Sequence, residues 1–130
     1  MGKDVQATSV VICDDVRREA SGKEILIGTY AGVIYFPTLP ATLTTFATRI
    51  EFKTELPQAD DITVELRGSD DTALFSVTGF MEMIGTEGVQ VLTMIANNVH
   101  FPKEDTYTIL FGRKGNVEKV YSFPVKVKPY

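Results

Sequence analysis

The sequence predicts an all-β fold: two sheets packed as a β-sandwich of about eight strands, with little helix. Three observations carry this. Apolar residues alternate with polar ones along several segments, the period of a half-buried strand. Turn chemistry breaks the chain into segments spaced about 8–12 residues apart. No stretch of eleven or more residues has helical period. The chain has 130 residues, enough for one core, so residues 1–130 are expected as a single domain.

From the N-terminus, Thr8 to Cys13 is apolar on both faces and reads as a strand. Asp14 to Ala20 is a charged connection with room for one helical turn, closed by the turn Ser21-Gly22-Lys23. Ile25 to Tyr35 is again apolar on both faces. Pro37 to Thr45 is expected as a second helical turn or an irregular crossover. Phe46, Thr48, Ile50, Phe52, Thr54 and Leu56 then alternate with Ala47, Arg49, Glu51, Lys53 and Glu55. Pro57 to Asp61 is a turn. Ile62, Val64 and Leu66 alternate with Thr63, Glu65 and Arg67, and Gly68 to Asp71 turns the chain into Ala73 to Val77. A turn at Gly85 to Gly88 precedes Val89 to Ala96. The last strands, Tyr107 to Phe111 and Tyr121 to Lys128, are joined through Lys114-Gly115-Asn116, which reads as a hairpin. Pro124 has no N–H for a ladder, so its strand is expected at an edge or a bulge.

One local signal narrows the sandwich to an immunoglobulin-like type. Asp105-Thr106-Tyr107 opens the penultimate strand, as in a tyrosine corner, where the hydroxyl bonds to backbone just upstream.

Segments apolar on both faces suit strands covered on both sides, or strands at an oligomer contact. Ile25-Leu26-Ile27, Val33-Ile34-Tyr35-Phe36 and Val91-Leu92-Thr93-Met94-Ile95 carry more apolar surface than a two-layer sandwich buries. Self-association or a protein partner is therefore expected. The alternative is that the segments around Asp14 to Lys23 and Pro37 to Thr45 fold over the surplus.

Charge and composition exclude several functions. Net charge is −4, which argues against nucleic acid as a partner. Residues 103–130 carry +3 and residues 1–102 carry −7, so the C-terminal hairpin is mildly basic. Its lysines suit edge-strand protection, or a surface for an acidic partner. No apolar run approaches the ~18 residues of a membrane span, so no membrane is expected. Met1-Gly2-Lys3-Asp4 leads into no apolar signal core, and Cys13 is the single cysteine. These features predict a cytoplasmic protein without an intrachain disulfide.

Candidate chemistry is sparse. Cys13 and His100 are the only thiol and the only imidazole, too few for a zinc site. A Cys–His dyad needs them adjacent in space, while Cys13 follows Val10-Val11-Ile12 as a buried small hydrophobe does. Asp14-Asp15, Asp60-Asp61 and Asp70-Asp71 recommend calcium only if they converge. The last two pairs flank one strand, its ends roughly 20 Å apart, and cannot share an ion. No phosphate-binding glycine motif or nucleophile elbow occurs. No cofactor and no metal is expected.

Ile12-Cys13-Asp14-Asp15-Val16-Arg17-Arg18-Glu19, then Gly22-Lys23 and Leu26-Ile27-Gly28-Thr29-Tyr30, resembles the opening signature of a bacterial, phage-associated family of uncharacterised domains. Phe36-Pro37-Thr38-Leu39-Pro40 is similar to the next segment of that family, and the match spans about the first third of the chain. The resemblance implies a small β-sandwich and no activity, so no catalytic residue carries over.

Read physically, the signature is a strand end, a charged connection and a strand pairing back. Gly22 supplies a positive φ, and Gly28 marks a bulge or a close packing neighbour. Asp14, Asp15, Arg17, Arg18 and Lys23 form the candidate interaction surface. The expected function is a non-enzymatic protein-binding or structural module. The alternatives are a sandwich binding a small molecule, carbohydrate or calcium, and an enzyme built on Cys13.

Overall fold

Alternation decides which faces meet. The computed structural model describes residues 5–54, 59–81 and 90–129. Nine strands run β1 (Val5–Arg18), β2 (Glu24–Thr29), β3 (Ile34–Phe36), β4 (Ala41–Thr54), β5 (Ala59–Arg67), β6 (Ala73–Met81), β7 (Gln90–Phe101), β8 (Asp105–Arg113) and β9 (Asn116–Val127). They form two sheets, ordered β2-β1-β4-β7 and β3-β9-β8-β5-β6. Every pair is antiparallel except β3 with β9. No helix among the described residues is long and apolar enough to cross a membrane.

The two sheets face each other through the predicted alternate residues. Phe46, Ile50 and Phe52 of β4 are fully buried, opposite Ile62, Val64 and Leu66 of β5, Tyr107, Ile109 and Phe111 of β8, and Phe123 and Val125 of β9. Phe46 is the hub of the aromatic packing. Its ring lies 6.0 to 6.4 Å from those of Tyr30, Phe75, Phe101 and Phe123. Thr48 shares this inward row, and its buried hydroxyl finds no hydrogen-bond partner among the described residues.

The predicted corner bond is present: the Tyr107 hydroxyl donates to the Lys103 carbonyl at 2.7 Å. Tyr107→Phe is expected to lower stability by about 1–2 kcal/mol, the net worth of a buried hydrogen bond. An unchanged urea midpoint would deny the bond that weight.

Pro124 sits where the sequence placed it. β3 pairs with β9 only from Val125 to Val127, so β9 is an edge at Pro124. A bulge between Ile109 and Leu110 leaves Val120 as the extra residue of β9. The hairpin turn is Lys114-Gly115, with Gly115 at φ 84°.

Four expectations need correction. Asp14 to Ala20 holds no helical turn, because β1 continues to Arg18. Val16 alternates there with Asp15 and Arg17, and the strand pairs back through Arg18 with Glu24. Pro37 to Thr45 holds no helical turn: the irregular crossover between the sheets is only Pro37 to Pro40, since β4 begins at Ala41 and its Thr42, Thr44 and Thr45 suit extended chain. Ile25 to Tyr35 is not one strand. β2 ends at Thr29 and β3 begins at Ile34, with Gly32 at φ 86° between them, and the two strands lie in different sheets. Asp60 and Asp61, expected in a turn, lie inside β5 at an irregularity between Ala59 and Ile62. Leu56, Pro57 and the turn at Gly85 to Gly88 lie outside the described residues.

Candidate functional site: the β1–β2 arm

The signature residues build a hairpin arm on the four-stranded sheet. β1 pairs with β4 as far as Cys13 and Ala47, and with β2 from Cys13 to Arg18. The turn at its tip is held by Gly22 N–H donating to Glu19 O at 2.9 Å, with Gly22 at φ 91°.

The arm bends back over the outer face of its own sheet. Arg49 of β4 points outward, because its neighbours Thr48 and Ile50 point into the core. Arg49 Nε donates to Glu24 Oε1 at 3.0 Å, and Thr93 of β7 donates to Glu24 Oε2 at 2.8 Å. Glu24 is near the arm's tip, yet these partners sit on the two strands beyond β1. A groove of about 520 Å³ lies between arm and sheet, lined by Arg18, Gly22, Glu24, Leu26, Arg49 and Val91. Cys13 and Ala47, outward residues at the bend, are fully buried. The arm thus covers Cys13 and Ala47, while Ile25, Ile27, Tyr35, Val91 and Ile95 of the surplus segments stay exposed.

Two contacts fix the bend. The Tyr30 hydroxyl donates to the Asp14 carboxylate, and the Tyr30 ring packs on Phe46. Burial, then the hydrogen bond to Asp14 and its charge, push the Tyr30 hydroxyl well above its usual value. Gly28 has φ 69°, and a Cβ there would stand 2.5 Å from Asp14 Oδ2. Asp14 occupies the space that a side chain at position 28 would need.

The predicted surface residues do not act alike. Asp14 is committed to Tyr30. Asp15 accepts from Val16 N–H and pairs with Arg17 at 2.8 Å. Arg18 approaches Glu24 at 3.9 Å while remaining largely exposed. Lys23 is exposed at the turn. Sequence reasoning missed Glu24, Arg49, Thr93 and Tyr30, which anchor the arm. Glu24 and Thr93 are 69 positions apart, so only the fold brings them together.

Burial works against the charged form of Glu24. The Thr93 hydroxyl and the Arg49 guanidinium outweigh it and hold the carboxyl below its ordinary 4.5. A depressed carboxyl stabilises the fold fully above its unfolded value. That contribution is lost as pH falls from about 4.5 through the lower folded value. The stability difference between the wild type and Glu24→Gln is therefore expected to be constant from pH 7 to about 5 and to shrink below 4.5. A difference that stays constant through that acid range would contradict the linkage.

The other candidate centres disperse. Cys13 is fully buried, and desolvation pushes its thiol up, against a weaker opposing bond to Asp15 O. His100 of β7 is exposed, pairs with Thr42 of β4 and bonds to its hydroxyl at 3.0 Å. Five residues of β4 separate that pair from Ala47 beside Cys13, roughly 17 Å of strand. Cys13 is expected to resist a thiol reagent in buffer and to react quickly in denaturant. Equal rates in the two would show an accessible thiol.

The aspartate pairs act as local structure: Asp70 accepts from Thr72 N–H at 3.0 Å, and Asp61 and Asp71 adopt positive φ. Among the described residues, no three His, Cys, Asp or Glu are placed to hold a metal ion.

A family model of unknown function, DUF6941, matches residues 8–126. The chain belongs to this family. The match extends through β9, well past the first third that carries the opening signature. No curated protein matches the chain. Membership in DUF6941 supplies no activity, so the function must be argued from the surface.

Proposed function

We propose that this DUF6941 member is a non-enzymatic, immunoglobulin-like module that binds protein through the outer side of its four-stranded sheet. The carrying observation is that four of the six large exposed aliphatic side chains among the described residues lie on this sheet, while the other two, Val77 and Val127, belong to the other sheet. Ile25 and Ile27 point outward from the arm and are 45% and 43% exposed, while Val91 and Ile95 are exposed on the outer face of β7. The outer face of the other sheet carries a polar, internally bonded patch, with Tyr35 of β3 exposed at its margin. Glu65 there takes bonds from Arg67 and Ser76, Thr63 meets Thr78, and Thr108 meets Ser122. A solvated face looks like the second, and a contact face like the first.

The immunoglobulin-like reading is supported by strand order. β1, β4 and β7 stand as strands A, B and E, and β5, β8 and β9 as C, F and G, with the Tyr107 bond at the corner. The burial of Cys13, away from His100, supports a non-enzymatic role, and a single unpaired thiol suits a reducing cytoplasm.

The chain, tagged in its native host, is expected to retain a protein partner, a second copy included. Ile25→Lys with Ile27→Lys should remove it, while Thr106→Lys on the opposite sheet should not. A partner retained by the arm variant and lost by Thr106→Lys would move the contact face to the other sheet. No partner at all would end the reading.

A further inference from the structure

Among the described residues the two sheets expose four edges, β2, β7, β3 and β6. β3 is three residues long, and Lys128 covers its Tyr35 with Nζ 5.1 Å from the ring centre. β7 is a continuous strand with Asn98 at φ 56° near its C-terminal end. β6 presents Ser76, Thr78 and Gly79 together with Val77, which is 47% exposed. β2 is set apart by two exposed isoleucines two positions apart, Ile25 and Ile27, with no proline in the strand and no further strand beyond it among the described residues. An unprotected apolar edge is a template for strand addition.

We propose that β2 pairs antiparallel with β2 of a second copy, about a two-fold axis between the two Leu26 residues. This deepens the protein-binding reading and rests on it. The edge's hydrogen-bonding phase fits. Glu19 N–H donates to Lys23 O at 2.8 Å at the tip, and pairing continues through Arg17 with Ile25. That alternation turns the backbone groups of Ile25 toward β1 and those of Glu24 and Leu26 to the open side. Leu26 then bonds Leu26 of the second copy.

The side chains fit as well. In this register Ile25 stands beside Ile27 of the second copy and Ile27 beside its Ile25. The four isoleucines then flank one another across the seam as one contiguous apolar patch on the outward face. Shifting the register by two residues leaves two of them facing Lys23 or Thr29 instead. Arg17 flanks Ile25 and Asp15 flanks Ile27 on β1, so each isoleucine row ends in opposite charges, and no like charges stand directly opposite. One strand pair covers less than the roughly 1,200–2,000 Å² of a stable interface, so the dimer forms by mass action at high concentration.

Sedimentation across a concentration series should show a monomer moving towards a dimer. Ile25→Lys, which sets lysine into the apolar row, should weaken association roughly tenfold or more while leaving the urea midpoint unchanged. Register is read by cross-linking under oxidised glutathione, since native Cys13 is buried. Ile25→Cys mixed with Ile27→Cys should form a disulfide-linked dimer faster than either variant alone. A chain monomeric at every concentration overturns the proposal. So does an Ile25→Lys chain that still dimerises, or an Ile25→Cys chain that cross-links to itself as fast as the mixture does. If the monomeric chain still retains another host protein through the arm, only the self-pairing fails and the binding reading stands.

Discussion

Phe46→Ala is expected to be among the most damaging single substitutions in this protein, costing about 3–5 kcal/mol. The side chain is fully buried. It contacts both sheets and the arm: Phe101 on β7, Phe75 on β6, Phe123 on β9, and Tyr30 just after β2. Truncation removes the transfer energy of a ring and leaves a space that four rings must collapse to fill. A domain of this size has about 5–15 kcal/mol in total, so the variant should be marginal or unfolded at 37 °C. Urea denaturation measures the cost. A loss below about 1 kcal/mol would mean that the neighbouring rings repack freely and that Phe46 is no hub.

Gly28→Ala should cost about 2–3 kcal/mol, a large effect for one added methyl. Two terms add. An L-residue held at φ 69° costs about 1–2 kcal/mol. The new Cβ also meets the Asp14 carboxylate, which must leave Tyr30, a hydrogen bond worth about 1 kcal/mol. The two terms separate in a double-mutant cycle. With Asp14→Ala already present, Gly28→Ala should cost only the backbone term. If the cost is the same with and without Asp14, the close approach plays no part.

The fold was largely written in period two. Alternation from Phe46 onward predicts the inward row of β4, and Asp105-Thr106-Tyr107 predicts a bond that is present. Apolar runs proved subtler. Ile25-Leu26-Ile27 and Val91 to Ile95 still alternate in space, with Leu26, Leu92 and Met94 partly covered and Ile25, Ile27, Val91 and Ile95 exposed. Charge misled at Asp14 to Arg18, where a strand is stabilised by Asp15 pairing with Arg17 two residues on, on the same face. Glycine carried more than the apolar pattern allowed: Gly28 holds a positive φ inside β2 against Asp14, and Gly32 holds one in the break between β2 and β3. The arm's anchors were illegible, because Glu24, Arg49 and Thr93 carry no motif and meet only once β1 bends at Cys13.

Everything said of function depends on the arm side of the four-stranded sheet being the contact face. A photo-crosslinking side chain placed in turn at Ile25, Val91, Thr78 and Thr106, in the native host, probes that face and its opposite together. Protein cross-links are expected from Ile25 and Val91, and none from Thr78 or Thr106 on the opposite sheet. Cross-links from Thr78 or Thr106 with silence at Ile25 and Val91 would place the contact on the wrong sheet and end the proposal.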